Sequence, residues 1–185
     1  MNIDSASAVL RVEHRLILKV VEAFENEMDE AGPGREPDFE RRADCITFFQ
    51  LFADACHHGK EEDLLFPELE GAGLPRESGP IAVMLSEHRY GRSLVRLMAD
   101  ALDGARAGEP AAQDAFDRAA RAWIDLISSH IRKEDEVLFM MADHLVHGPA
   151  CAQLCAAYRE ADGCLFGQRT KAQLEELAAK LVRGR

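Results

Sequence analysis

The chain has 185 residues, enough for one domain with a sizeable core. A formal net charge of −11 argues against nucleic acid or an anionic membrane as a partner. Hydrophobic residues make up 47% and aromatics 6%, and β-branched runs are scarce, a mix that favours helices over strands.

Ser5 or Ser7 is expected to cap a first helix running to about Glu30, with Val9, His14, Ile17, Leu18, Val21 and Phe24 as its stripe. The stretch Gly32-Pro33-Gly34-Arg35-Glu36-Pro37 breaks the chain. A second helix starts near Asp38 and carries Cys45, Phe48, Phe49, Phe52 and His57. Gly59 and Pro67 could bend or divide it, and Gly71-Ala72-Gly73-Leu74-Pro75 ends it. Ser78-Gly79-Pro80 starts a third helix that runs to about Arg106, and Gly108-Glu109-Pro110 turns the chain. A fourth helix runs from about Ala111 to Leu145 and stops at His147-Gly148-Pro149. Two shorter helices follow near residues 150–161 and 169–182. The expected fold is all-α: an up-down-up-down four-helix bundle over residues 1–147, with the two short helices of 148–185 packed on the same domain.

No apolar run is long enough to span a bilayer, and Met1-Asn2-Ile3-Asp4 lacks the basic and apolar regions of a signal peptide. A cytoplasmic setting is therefore expected. The five cysteines, Cys45, Cys56, Cys151, Cys155 and Cys164, are odd in number and include no Cys-x-x-Cys, so a disulfide framework is not expected. Cys151 and Cys155, four apart on one helix, could touch, bind a soft metal or respond to oxidants, but small apolar packing is the default.

The functional signal is a duplication. Glu13-His14-Arg15 is followed 43 residues after His14 by His57, which leads into Lys60-Glu61 and Leu65-Phe66. Glu87-His88-Arg89 is followed 42 residues after His88 by His130, which leads into Lys133-Glu134 and Leu138-Phe139. Each half supplies one lone His and one His-x-x-x-Glu pair, and residues four apart share a helix face. With a rise of ~1.5 Å per residue, the outgoing and returning helices bring all six side chains to a similar height. Imidazole nitrogen and carboxylate oxygen suit iron, manganese or zinc. The economical arrangement is two metals, His14 with His57 on one, His88 with His130 on the other, and Glu61 and Glu134 bridging. An oxide or hydroxide bridge would bring each metal to five donors, leaving a position for a small ligand such as O2, NO or peroxide. His58 with Glu62 has the same four-residue spacing as His57 with Glu61, but the alignment of the two halves selects His57 and Glu61. His58 and Glu62 then lie ~100° around the helix, among groups that support the ligands or face solvent.

Other residues receive plainer readings. Asp54 is either a partner of a ligand imidazole or a solvated residue. Lys60 and Lys133 are expected to reach solvent, Trp123 to lie in the core, and Tyr90 to pack or face solvent. His144 and His147 suit the end of the fourth helix.

These motifs resemble the hemerythrin-like, or HHE cation-binding, domains. The resemblance spans about Val9 to Met141 and is carried by residues 56–67, by Glu87-His88-Arg89 and by His130-Ile131-Arg132-Lys133-Glu134. It implies a four-helix bundle around a non-haem di-iron centre, with iron ahead of manganese or zinc. His14, His57, His88 and His130 would be terminal ligands, and Glu61 and Glu134 bridges. Oxygen-carrier hemerythrins have a second His four residues after the third-helix His, where this chain has Arg92, and an Asp as the last bridge, where it has Glu134. Both departures point to the wider bacterial group, which resembles iron-cluster repair proteins and gas or redox sensors. Three functions follow as expectations: a di-iron protein that binds O2 or NO or senses redox or iron state; a di-iron enzyme for peroxide or NO reduction, iron oxidation or iron delivery; and a helical module with a structural metal. The last two helices could cover the bundle or form the face of a homodimer.

Overall fold

Six helices account for nearly all of the regular structure in residues 5–31 and 36–183, which the computed structural model describes. Met1 to Asp4 and most of the break at Gly32–Pro37 lie outside these residues. Helix α1 is Ala8–Glu30. Helix α2 spans residues 39–71 without interruption, but its middle is wound as π-helix at Phe49–His58 and Glu61–Leu65. Gly59 and Pro67 therefore do not divide it. Helix α3 is Gly79–Arg106. Helix α4 spans residues 110–145, with π turns at Glu134–Leu138. Helices α5, Gly148–Asp162, and α6, Lys171–Arg183, complete the chain. The described residues contain no strand, only an isolated bridge between Phe166 and Arg169, and no helix long and apolar enough to cross a membrane.

Local chemistry explains the boundaries. Asp38 caps α2 by accepting from the Arg41 backbone N–H at 3.1 Å. Ser7 occupies the N-cap position of α1, yet its hydroxyl bonds Asp143 at 2.8 Å instead of capping. Prolines 80, 110 and 149 sit in the first turns of α3, α4 and α5, where the missing N–H costs nothing. The C-terminus of α2 closes with Leu74 N–H bonded to the Leu69 carbonyl at 2.9 Å, over Gly73 at φ 102°. The C-terminus of α3 repeats this closure at Gly108.

Contacts between the long helices run in opposed numerical order. Glu13 meets His57 and Glu27 meets Arg42; Asp54 meets Arg92 and Glu62 meets His88; Ser7 meets Asp143 and Asp29 meets Arg121. The buried apolar side chains fall into two clusters. One contains Ile17, Phe24, Phe49, Phe52, Leu94, Trp123, Ile127 and the inner face of α6. The other contains Leu10, Leu65, Phe66, Met84, Leu138, Phe139 and the inner face of α5. Between Leu10 and Ile17 lies His14, between Phe52 and Leu65 lie His57 and Glu61, between Met84 and Leu94 lies His88, and between Ile127 and Leu138 lie His130 and Glu134. A single polar layer thus crosses the interior at mid-height.

The cysteines form no disulfide. Cys151 and Cys155 pack in the second cluster. Cys45 and Cys56 are buried, and burial pushes each thiol up to about 12. Cys164 is exposed. At pH 8 iodoacetamide should alkylate Cys164 in the folded protein and leave Cys45 and Cys56 as inert thiols until denaturant is added. Mass spectrometry of the alkylated digest checks this; early labelling of Cys45 would contradict it.

Candidate metal centre

Five imidazoles from four helices turn into the polar layer, and each is held by its outer nitrogen. His14 Nδ1 meets Asp135 at 3.0 Å, His57 Nδ1 meets Glu13 at 3.0 Å, and His58 Nδ1 meets Asp54 at 3.3 Å. His88 Nδ1 meets Glu62 at 2.7 Å, and His130 Nδ1 meets Glu87 at 3.0 Å. Each Nδ1–H donates to its carboxylate, so each Nε2 presents a lone pair to the interior. That orientation is the one in which a carboxylate behind an imidazole raises its basicity toward a cation.

The inward atoms converge. Glu61 straddles the centre: one oxygen lies 3.5 Å from His57 Nε2 and the other 3.5 Å from His88 Nε2. Glu134 Oε2 lies 3.2 Å from both His14 Nε2 and His130 Nε2, and His88 Nε2 lies 3.2 Å from His130 Nε2. Two groups result, His14, His57, Glu61 and Glu134, and His58, Glu61, His88 and His130, each with its donor atoms within 4.8 Å of one another. All of these residues are buried. The Nε2 atoms of His14, His57 and His58 and all four oxygens of Glu61 and Glu134 have no hydrogen-bond partner. Buried polar atoms left unpaired cost ~1–3 kcal/mol each, more when charged. Two donors ~2.1 Å from one cation and about at right angles lie ~3 Å apart, close to the spacings seen here. The donor set fits two cations.

The electrostatics agree. Burial, and then the Glu134 carboxylate, push Glu61 well above the ordinary carboxylate range. Burial would raise Glu134 too, but the imidazoles of His130 and His14 hold it well below that range. Burial would lower His130, yet Glu134 and Glu87 raise it to about 9. His57 is driven by burial down to about 4 despite Glu13. Bound metal would take over this mutual balance of buried carboxylates and imidazoles.

The structure brings together all six residues marked by the duplication and adds to them. His58 does not point away: it is buried, its Nε2 has no partner, and it belongs to the second group. The π turns explain the difference, because their wider winding rotates each residue by less than the ~100° of an α-helix. Glu62 supports His88, and Asp54 supports His58. Lys60 does not reach solvent. It is 2% exposed and bonds Glu13 and, at 2.6 Å, Asp162. Lys133 bonds Glu87 on the more open side, where it is 37% exposed. Trp123 is buried against Phe49, Tyr90 is exposed, and His144 and His147 lie on the surface outside both groups. Glu62 was expected either to support the ligands or to face solvent, but the supporting acids Glu13, Glu87 and Asp135 were missed as functional residues, although the duplication contains them. Glu precedes each lone His, and an acid follows each bridging Glu.

The two ends of the centre differ. On the Glu13 side, Lys171 joins Glu13 at 2.6 Å and Asp162 at 2.7 Å, so α5 and the start of α6 seal that support. On the other side a cavity of about 330 Å³ reaches inward between α2, α3 and α4. Phe49, Ala53, Gly91, Trp123 and Ile127 form its apolar wall, and His58, His88 and His130 line its inner end.

Comparison with known proteins gives one positive finding. The family model of the hemerythrin HHE cation binding domain matches residues 5–142. Nothing among curated proteins or solved structures matches the chain significantly.

Proposed function

The chain belongs to the hemerythrin HHE cation-binding domain family, and from that premise we propose that it is a non-haem di-iron protein that binds O2 or NO, or senses redox or iron state. His14, His57, His88 and His130 are the terminal ligands, and Glu61 and Glu134 the bridges. The observation that carries this is the set of buried, unpartnered Nε2 and carboxylate atoms facing one another across the polar layer. The opposed contact order of the four long helices supports an up-down-up-down bundle over residues 1–147, with 148–185 as an extension packed on it. A cytoplasmic setting belongs to the same reading.

Iron bound here would supply redox electrons and an open position for a small ligand. The chain does the rest. The carboxylates behind the imidazoles keep each ring in the Nδ1–H tautomer and aim its Nε2 inward. The cavity, apolar along Phe49, Ala53, Trp123 and Ile127 and charged at Asp54, Glu87, Arg92, Arg96 and Asp100, admits a small molecule. Its 330 Å³ is ample beside the ~30 Å³ of a water. That volume equally suits peroxide, the substrate of the enzymatic reading.

Freshly purified protein should contain about two irons per chain and show oxo-bridge absorption bands. Reversible spectral change with O2 or NO supports binding; catalytic loss of peroxide under a reductant supports the enzyme. Zinc with no spectral response would reject both. Access through the cavity has its own test. A Cβ at Gly91 would meet Leu126 at 3.6 Å and Trp123 at 3.9 Å, so the backbone accepts a side chain, and one the size of Leu occupies the cavity. Gly91→Leu should slow azide or NO binding at least ~10-fold with iron content unchanged, a barrier of ~1.4 kcal/mol. Unchanged stopped-flow rates would exclude this route.

A further inference from the structure

We infer that His58 is a fifth imidazole ligand, serving the cation held by His88 and His130. The inference rests on the metal-centre reading above and adds to it a residue outside the duplicated pattern. A histidine that merely packs in a core has both ring nitrogens satisfied. His58 has one: Nδ1 is held by Asp54 at 3.3 Å, whereas Nε2 is buried without a partner, and the residue belongs to the group formed with Glu61, His88 and His130. The ring stacks on that of His88 at 3.9 Å between centroids, so the two imidazoles advance into the centre side by side.

The support behind His58 is built like the others and is tied to one of them. Arg92 donates from Nε to Asp54 at 2.7 Å and from its terminal nitrogen to Glu62 at 2.7 Å. One guanidinium therefore fixes the carboxylate behind His58 and the carboxylate behind His88 together. The duplication fails at this position: the counterpart of His58 in the second half is Ile131, which is buried in the apolar core. Only the first half supplies an extra imidazole, and only one cation receives it. The centre is then unequal, with three imidazoles on the side facing the cavity and two on the side sealed by α5 and α6.

Because His58 lines the cavity, its removal leaves space that free imidazole can enter. His58→Ala should retain one ion as tightly as the unaltered protein and bind the other more weakly, by more than the ~10–100-fold that follows loss of an outer partner. Millimolar imidazole should restore the second ion, and ¹⁵N-imidazole should then appear in the pulsed EPR spectrum of the mixed-valent form. X-ray absorption on the unaltered protein should count five imidazoles per metal pair, a measurement that holds even where the variant fails to fold. Two equally tight ions in His58→Ala, or four imidazoles per pair in the unaltered protein, would overturn the assignment. Unaltered protein that holds fewer than two ions would instead sink the two-metal reading itself.

Discussion

Glu61→Ala and Glu134→Ala should each retain at most one metal ion, whereas Glu87→Ala retains two with affinity weakened by ~10–100-fold. Glu61 faces histidines of both groups with its two oxygens, and Glu134 lies 3.2 Å from one histidine of each. On the proposed reading, removing either would take a donor from both cations at once. Glu87 only steadies His130 from behind. In the metal-free protein the order reverses. Glu61 is buried and unpartnered, and burial and the Glu134 carboxylate both disfavour its ionisation, so Glu61→Ala there should cost little stability. Metal analysis after equilibrium dialysis, paired with thermal melts of both forms, measures this. Full metal content in Glu61→Ala and Glu134→Ala alike would reject the bridging roles.

The long helices and their six inward residues were legible because an amphipathic helix repeats every 3.6 residues and the pattern occurs twice. Glycine and proline punctuation located the turns for the same local reasons. What escaped was less local. The inward turn of His58 depends on π winding, which the apolar stripe of α2 does not announce. The burial of Lys60 depends on Asp162 and Lys171, more than 100 residues further on. By sequence Lys60 and Lys133 are equivalent; only the packing of α5 and α6 makes them different.

That difference predicts unequal costs for one substitution made twice. Lys60→Met should lower stability by about 3 kcal/mol, and Lys133→Met by no more than ~1 kcal/mol. Lys60 and Glu13 are 1% and 3% exposed as side chains, so removing the amine leaves a buried carboxylate with fewer cations around it. Lys171 remains beside Glu13, which keeps the loss at the low end of the range for a broken buried pair. Lys133 and Glu87 are 37% and 19% exposed, and water takes over when one is removed. At ~2–4 °C per kcal/mol for a chain of this size, the Lys60 variant should melt roughly 6 °C or more below the parent, and the Lys133 variant close to it. Equal melting shifts would show that α5 and α6 do not seal that end.

The mid-height polar layer has a mechanical consequence. Side chains above it cannot interlock with side chains below it, so the two oily compartments communicate through rigid helical backbone that passes from one to the other. Ions held at that seam would clamp four rods at a common level, and their departure would let each compartment loosen on its own timetable.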